Sequence, residues 1–395
     1  MPTKMFLNGD EAVAHGVRLA KPNVVAAYPI TPQTIVVERI ADFVANGQLD
    51  CEYVYVESEH SALSNVMGAS VVGARTFTAT SSQGLLYMSE IVHYVGGGRL
   101  PVVMMNANRS LATPWNVFGD QRDFMSQRAA GWIMMCVENA QEAIDMTIQA
   151  YKVAEDERLY IPFMVALDGF VNTHTYENVI VPDQEQVDKF LPPLKNKYAV
   201  DFDHPISCLT SASPAWNTEM HYQKHLDMQK AIGIIEQADK DYAAITGRSY
   251  GGLYEEYRCE DAEYILVAMG SVCGTLRLVV DELRSQGFKA GFVKVRYMRP
   301  FPIKFFTELA QRPNIKAVGI LDRDISFGAE GALAADVKSA MAIALKVPVT
   351  VNFIAGLGGR DLSRHNLTRM YKALEDKANG AKSDEIQFID LRWAK

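Results

Sequence analysis

The chain of 395 residues has only five cysteines, Cys51, Cys136, Cys208, Cys259 and Cys273, an odd number at wide spacings. No CxxC pair is present, so the sequence offers no local thiolate set for zinc or for an iron–sulfur cluster. Free thiols in a reducing compartment are the simple reading. Long apolar runs are missing too. Nothing approaches the roughly 18 consecutive apolar residues of a membrane span. Met1 to Asp10 mixes Lys4, Asn8 and Asp10 with a short apolar stretch, which argues against a signal peptide. Positive charge is in deficit: 39 Lys and Arg stand against 47 Asp and Glu, a net charge of −8. Phosphate binding needs a basic face, so a nucleic-acid partner is disfavoured and a cytoplasmic protein is expected. No GxGxxG opens the first βα unit, which leaves a nicotinamide site unsupported. No serine or cysteine elbow accompanies His60 or His174, so triad chemistry falls away.

What is present is an ordinary globular balance, 48% hydrophobic and 22% charged, long enough for two or three domains. Short apolar runs alternate with helical periods. Val24–Ala27, Glu52–Val56, Thr76–Thr80 and Pro101–Met105 read as strands. Between them, helices are predicted from Thr31 to about Gly47, from Ser61 to Gly73 and from Leu85 to Tyr94, with Thr31 as a plausible N-cap and Pro32 at the first helical position. Trp132–Val137, Gln141–Ala154 and Pro162–Leu167 continue the alternation. Residues 172–213 are Pro-rich and weakly periodic, an expected surface arm, and an amphipathic stretch over 217–244 bridges onward. A second block carries strands at Tyr264–Ala268, Gly291–Val295, Ala317–Leu321, Val349–Phe353 and Ile386–Ile389. The pattern predicts an α/β fold with two doubly wound domains, divided as residues 1–258 and 259–395.

Open parallel sheets bind ligands beyond the carboxyl ends of their strands. Those ends read Tyr28-Pro29-Ile30-Thr31-Pro32, Glu57-Ser58-Glu59-His60, Ser81-Ser82-Gln83-Gly84 and Asn106-Ala107-Asn108-Arg109. One edge thus collects a hydroxyl, carboxylates and a guanidinium, a set able to hold a small carboxylic acid and exchange a proton. Each piece also has a plainer role open to it. Thr31 could cap a helix, Glu57 and Glu59 could be favourable charges near a helix N-terminus, and Arg109 could make a structural ion pair. Gly96-Gly97-Gly98 fits a helix stop. Gly356-Leu357-Gly358-Gly359-Arg360 invites a phosphate reading, but it lies in the second block.

These stretches, together with Phe118-Gly119-Asp120, Leu167-Asp168-Gly169-Phe170 and Arg299-Pro300-Phe301-Pro302, occur in an order that resembles the α subunits of the 2-oxoacid:ferredoxin oxidoreductases. The resemblance covers nearly the whole chain. It implies a first domain binding the pyrimidine side of thiamine diphosphate and a second domain like the C-terminal domain of transketolase. It places the diphosphate and Mg²⁺ on a β subunit and [4Fe-4S] clusters on γ/δ-type subunits, in a dimer of heterooligomers that reduces ferredoxin. No GDG-type metal–diphosphate motif occurs here, in keeping with half a cofactor site and no metal in this chain.

By this resemblance Glu59 contacts the pyrimidine, with Tyr28, Pro29, Ile30 and Ser82 beside the cofactor. Thr31 and Arg109 match the residues holding the substrate's oxo group and carboxylate. The segment 114–123 departs from the pyruvate pattern, with Gln121 and Arg122 where a histidine is expected. Asn116, Phe118, Asp120, Gln121 and Arg122 are therefore read as a substrate loop. Extra donors there would suit a second carboxylate. Within the family the nearest resemblance is to the oxalate oxidoreductase α subunit, so oxalate is the expected substrate and pyruvate the alternative.

Overall fold

The computed structural model describes residues 2–345 and 347–393. The chain opens with strand β1 (Thr3–Leu7) and helix α1 (Gly9–Ala20), neither of which stood out in the sequence. Asn8 starts α1 through a reciprocal box. Its Oδ1 accepts the Glu11 N–H at 2.9 Å, and its own N–H donates to Glu11 Oε2 at 3.3 Å. Both charged residues of its first turn, Asp10 and Glu11, are buried, and so is most of the rest of the helix.

The predicted alternation follows. It runs β2 (Val24–Ala27), α2 (Thr34–Ala45), β3 (Glu52–Tyr55), α3 (Glu59–Val71), β4 (Thr76–Thr80), α4 (Gln83–Tyr87), α5 (Ser89–Gly97) and β5 (Val103–Asn108). Next come α6 (Arg122–Ser126), β6 (Ile133–Cys136), α7 (Ala140–Ala154) and β7 (Phe163–Asp168). One prediction is corrected. Helix α2 begins at Thr34 after Gln33, so Thr31 is no N-cap; Thr31–Pro32 is a cis peptide in the loop before it. The expected arm contains regular structure, β8 (Glu177–Val181) and α8 (Gln184–Phe190), with β8 antiparallel to β1. The bridging helix is α9 (Pro214–Thr246).

The second block contains β9 (Tyr254–Tyr257), β10 (Tyr264–Ala268), α10 (Val272–Ser285), β11 (Ala290–Val295), β12 (Tyr297–Arg299) and α11 (Ile303–Ala310). It ends with β13 (Ala317–Asp322), α12 (Ala332–Met341), β14 (Val349–Ile354), α13 (Arg364–Ala378) and β15 (Ile386–Phe388). The first sheet has the order β12-β6-β7-β5-β4-β2-β3, and the second β15-β14-β13-β10-β11-β9. Each is parallel apart from one edge strand, β12 or β9, which runs antiparallel to its neighbour. The architecture is doubly wound α/β, as expected. The chain also crosses between the sheets: β9 joins the second sheet from before residue 258, and β12 returns to the first.

Strands β4, β5, β6 and β7 are buried along their whole length, as central parallel strands must be. One buried apolar cluster continues from Val92, Trp132 and Met134 of the first unit to Val293 and Phe306 of the second. That shared core fixes the carboxyl ends of both sheets relative to each other.

Candidate active site

Four strand ends converge on one edge of the first sheet. After β2 the loop over residues 28–32 is tethered by Gln33, which is wholly buried. Gln33 Nε2 donates to the Ala79 carbonyl at 2.7 Å and its Oε1 accepts from Ile30 N at 3.4 Å. Tyr28, Pro29 and Thr31 are left exposed, and Ile30 is half-buried. The Thr31 hydroxyl has no hydrogen-bond partner among the described residues.

After β3, Ser58 caps α3 by accepting the Ser61 N–H at 3.2 Å, which sets Glu59 as the first helical residue. Glu59 is buried, yet its carboxylate makes no hydrogen bond among the described residues. Its room comes from Gly84: a Cβ there would lie 2.7 Å from Glu59 Oε1 and 2.5 Å from Thr80 Oγ1. Thr80 Oγ1 is itself buried, without a partner among the described residues. A buried polar atom without a partner is costly, so this concentration beside one carboxylate marks a place shaped for a polar ligand. Glu57, two residues earlier, is exposed and accepts from the Ser61 hydroxyl, the plainer of the roles open to it.

Arg109 closes β5. The residue is 6% exposed, and Nη1 donates to the Thr31 carbonyl at 2.8 Å. Nε is buried without a partner among the described residues, and the Trp115 ring lies 5.8 Å from Cζ. Burial pulls the guanidinium below its ordinary pKa, and the negative charges of Asp123 and Glu59 push it back. Ser82 sits in the left-handed region at φ 52, with its hydroxyl donating to the Ser110 carbonyl at 2.7 Å.

Asp123 ties these ends together, a residue the sequence reading passed over. Its Oδ2 accepts the Ser82 N–H at 2.9 Å, the Arg109 N–H at 3.1 Å and the Asn106 amide at 3.1 Å. Its Oδ1 accepts the Phe124 N–H at 2.8 Å. Burial pushes its pKa up to about 7, against those four donors, which favour the charged form. The signal available in the sequence was a carboxylate at the end of the loop that follows Arg109; Gly84 stood inside a quoted strand-end stretch, and Gln33 directly after one.

The 116–122 loop divides. Phe118 is half exposed, its ring 4.9 Å from that of Phe170, and Asn116 Oδ1 accepts the Phe118 N–H at 2.8 Å. Arg122 is occupied: it pairs with buried Asp120 at 3.1 Å and donates to Ser110 Oγ at 2.9 Å and the Leu111 carbonyl at 3.1 Å. Gln121 turns to the junction between the sheets, donating to Asp168 Oδ1 at 3.1 Å. There Asp168 also pairs with Arg323 at 2.8 Å and accepts from Ser271 N at 2.8 Å. The structure thus brings Glu59, Thr31, Ser82 and Arg109 to one edge and holds Gln121 and Arg122 in contacts of their own. Among the described residues no helix is long and apolar enough to cross a membrane.

Comparison with known proteins agrees with this layout. Residues 15–240 match the family described as pyruvate flavodoxin/ferredoxin oxidoreductase, thiamine diphosphate-binding, and residues 262–367 match pyruvate:ferredoxin oxidoreductase core domain II. The pyruvate synthase subunit PorA of Pyrococcus horikoshii is 45% identical over 394 residues, 99% of each chain. PorA of Methanothermobacter thermautotrophicus is 46% identical over 370 residues, 94% of this chain and 95% of that one. The ketoisovalerate oxidoreductase subunit VorA of Pyrococcus horikoshii is 42% identical over 393 residues, 99% of each chain. In fold the chain is similar to 2-oxoglutarate:ferredoxin oxidoreductase from Magnetococcus marinus, with a TM-score of 0.71 at 20% identity, over 94% of this chain and 65% of that one. A split-gene transketolase shares the fold more loosely, with a TM-score of 0.50 at 13% identity over 93% of this chain and 95% of that one. These relatives are named for pyruvate and ketoisovalerate, which gives the expected oxalate resemblance no support. With a thiamine diphosphate-binding domain followed by core domain II along its length, the chain belongs to the 2-oxoacid:ferredoxin oxidoreductase family as an α subunit, a component of a multi-subunit enzyme.

Proposed function

We propose that this α subunit serves an enzyme that oxidises pyruvate, with coenzyme A, to acetyl-coenzyme A and CO₂. The observation that carries this reading is the pairing of two groups at one edge: the carboxylate of the buried residue Glu59, which has no donor among the described residues, and Arg109, whose Nε is buried and unpartnered among them. The expected oxalate would need further donors for a second carboxylate. Gln121 and Arg122, the candidates for that task, hold Asp168, Asp120 and Ser110 instead. A substrate with one carboxylate and a methyl group suits what remains, and the relatives named pyruvate synthase support the same choice.

The residues present fit the pyrimidine side of thiamine diphosphate. Gly84 leaves space against Glu59 Oε1, and exposed Tyr28 and Pro29, with half-buried Ile30, offer apolar surface on the same edge. Bound there, thiamine diphosphate supplies the carbon nucleophile and the electron sink for decarboxylation. Glu59 holds a proton at the aminopyrimidine ring and exchanges it. The Thr31 hydroxyl donates to the substrate's oxo oxygen as negative charge develops on it. Arg109 orients the carboxylate with a planar pair of N–H donors, positioned by its bond to the Thr31 carbonyl. Ser82, through its bonds to Asp123 and Ser110, fixes the turn between β4 and α4, beside which the cofactor would be held. The diphosphate and Mg²⁺ belong to a β subunit, and the electrons leave through [4Fe-4S] clusters on γ/δ-type subunits to ferredoxin, in a cytoplasmic dimer of heterooligomers.

The test is viologen reduction by the complex purified anaerobically with its natural partners. Reduction with pyruvate plus coenzyme A is expected. Reduction with oxalate alone, and none with pyruvate, would return the substrate assignment to a dicarboxylate.

A further inference from the structure

The glycine-rich turn Gly356-Leu357-Gly358-Gly359 follows β14 in the second unit, and nothing in the proposed chemistry uses it. It makes a different set of contacts. Gly359 N donates to the Gly119 carbonyl at 2.8 Å, and Gly358 N donates to Asp120 Oδ2 at 3.1 Å. Asn116 Nδ2 returns a bond to the Gly358 carbonyl at 3.2 Å. Both glycines have positive φ, 58° at Gly358 and 77° at Gly359. Side chains there would collide with the loop: a Cβ on Gly358 would lie 2.5 Å from Asn116 Nδ2, and one on Gly359 would run into Phe118 Cβ. The backbones approach this closely because no side chain intervenes. A second anchor from the same unit is Arg323, whose carbonyl accepts Gln121 N at 2.8 Å and whose Nη2 donates to the Gly119 carbonyl at 3.1 Å.

The gripped loop leads back to the site. Ser110 N donates to the Phe118 carbonyl at 3.0 Å, and Trp115, between the gripped residues and Arg109, places its ring 5.8 Å from the Arg109 guanidinium. We propose that the Gly356–Gly359 turn is a latch, through which the second unit sets affinity for the 2-oxoacid by holding the Asn116–Asp120 loop and the Trp115 ring over Arg109. Gly358, Gly359 and Asn116 are positioning residues in this account. It rests on the reading of Arg109 as the carboxylate-binding residue. A loose loop weakens binding in the ground state and the transition state alike, so the effect falls on KM and leaves kcat largely in place.

The test uses the whole complex, assayed anaerobically with pyruvate, coenzyme A and viologen. Gly359→Ala is expected to raise the KM for pyruvate by about 10-fold or more, with kcat held within about 2-fold. Asn116→Ala removes two hydrogen bonds, the one to the Gly358 carbonyl and the one from the Phe118 N–H, without a collision, and is expected to raise KM by about 3- to 5-fold. Gly380→Ala serves as the control: its φ is +93° with no atom within 4 Å of a new Cβ, so it carries backbone strain without a contact, and its KM should match the parent. Unchanged KM in both Gly359→Ala and Asn116→Ala overturns the latch, as does a fall in kcat at constant KM. If Gly359→Ala fails to assemble, Asn116→Ala decides alone. Arg109→Lys separates the two readings. A raised KM there with normal KM in the loop variants sinks only the latch, whereas an unchanged KM in Arg109→Lys sinks the carboxylate assignment and the latch with it.

Discussion

Glu59 and Asp123 are both buried carboxyl groups within one strand-end cluster, yet they have opposite surroundings. Asp123 accepts four hydrogen bonds, and Glu59 accepts none among the described residues. The first is a strut, the second an open acceptor. Glu59→Gln keeps the shape and removes the exchangeable proton, so turnover of the complex should fall by at least about 100-fold while gel filtration shows normal assembly. Near-normal turnover would move Glu59 to a structural role. Asp123 makes a pH prediction. Its folded pKa of about 7 lies above the ordinary value of 3.8, so between those values the folded state holds a proton that the unfolded chain has released. Its contribution is therefore full below the unfolded value and is lost as pH rises towards 7. Comparing melting temperatures from pH 5 to 8, the parent should decline more steeply than Asp123→Asn. Parallel curves would mean that the four donors hold Asp123 ionised throughout.

At the scale of elements, the crossing between sheets depends on helix α7, on the end of β11 and on Arg296, which links β11 to β12. Glu142 of α7 pairs with Lys294 at 2.7 Å and Arg296 at 2.5 Å, and all three are buried. Burial pushes the Glu142 pKa up, but the two cations outweigh it and hold it down at about 2. Glu142→Ala would leave two buried cations without this partner, a loss on the order of 3–5 kcal/mol in denaturant unfolding. A loss under about 1 kcal/mol would show that Glu138 and Glu255, the remaining carboxylates of the cluster, satisfy both cations by themselves. The alternation of strands and helices was legible here because buried parallel strands are short apolar runs with turn signals between them. Helix α1 was passed over, although Asn8 and Glu11 have the three-residue spacing of a capping box ahead of Ala12–Ala14; the structure shows the two bonding reciprocally.

The whole molecule places two carboxyl-end edges face to face, joined by the Asp168–Arg323 pair and by a continuous apolar core. This is why the glycine-rich turn of the second unit, which the sequence offered as a weak phosphate site, lies on the loop that follows Arg109. It is also why Gln121 faces a junction: Asp168, at the end of β7, collects Gln121, Arg323 and Ser271 from three separate stretches of chain. The sequence by itself determined the α/β class, the strand ends that carry Glu59, Thr31, Ser82 and Arg109, and the family. Those depend on local periodicity and on residues adjacent along the chain. Tertiary structure alone decided which polar side chains remain free. Asp123, Gln33 and Gly84 act on the site across separations of 14 to 46 residues, and Arg122 and Gln121 are claimed by partners already in place. A donor's availability is set by what packs against it, and chain order does not contain that information.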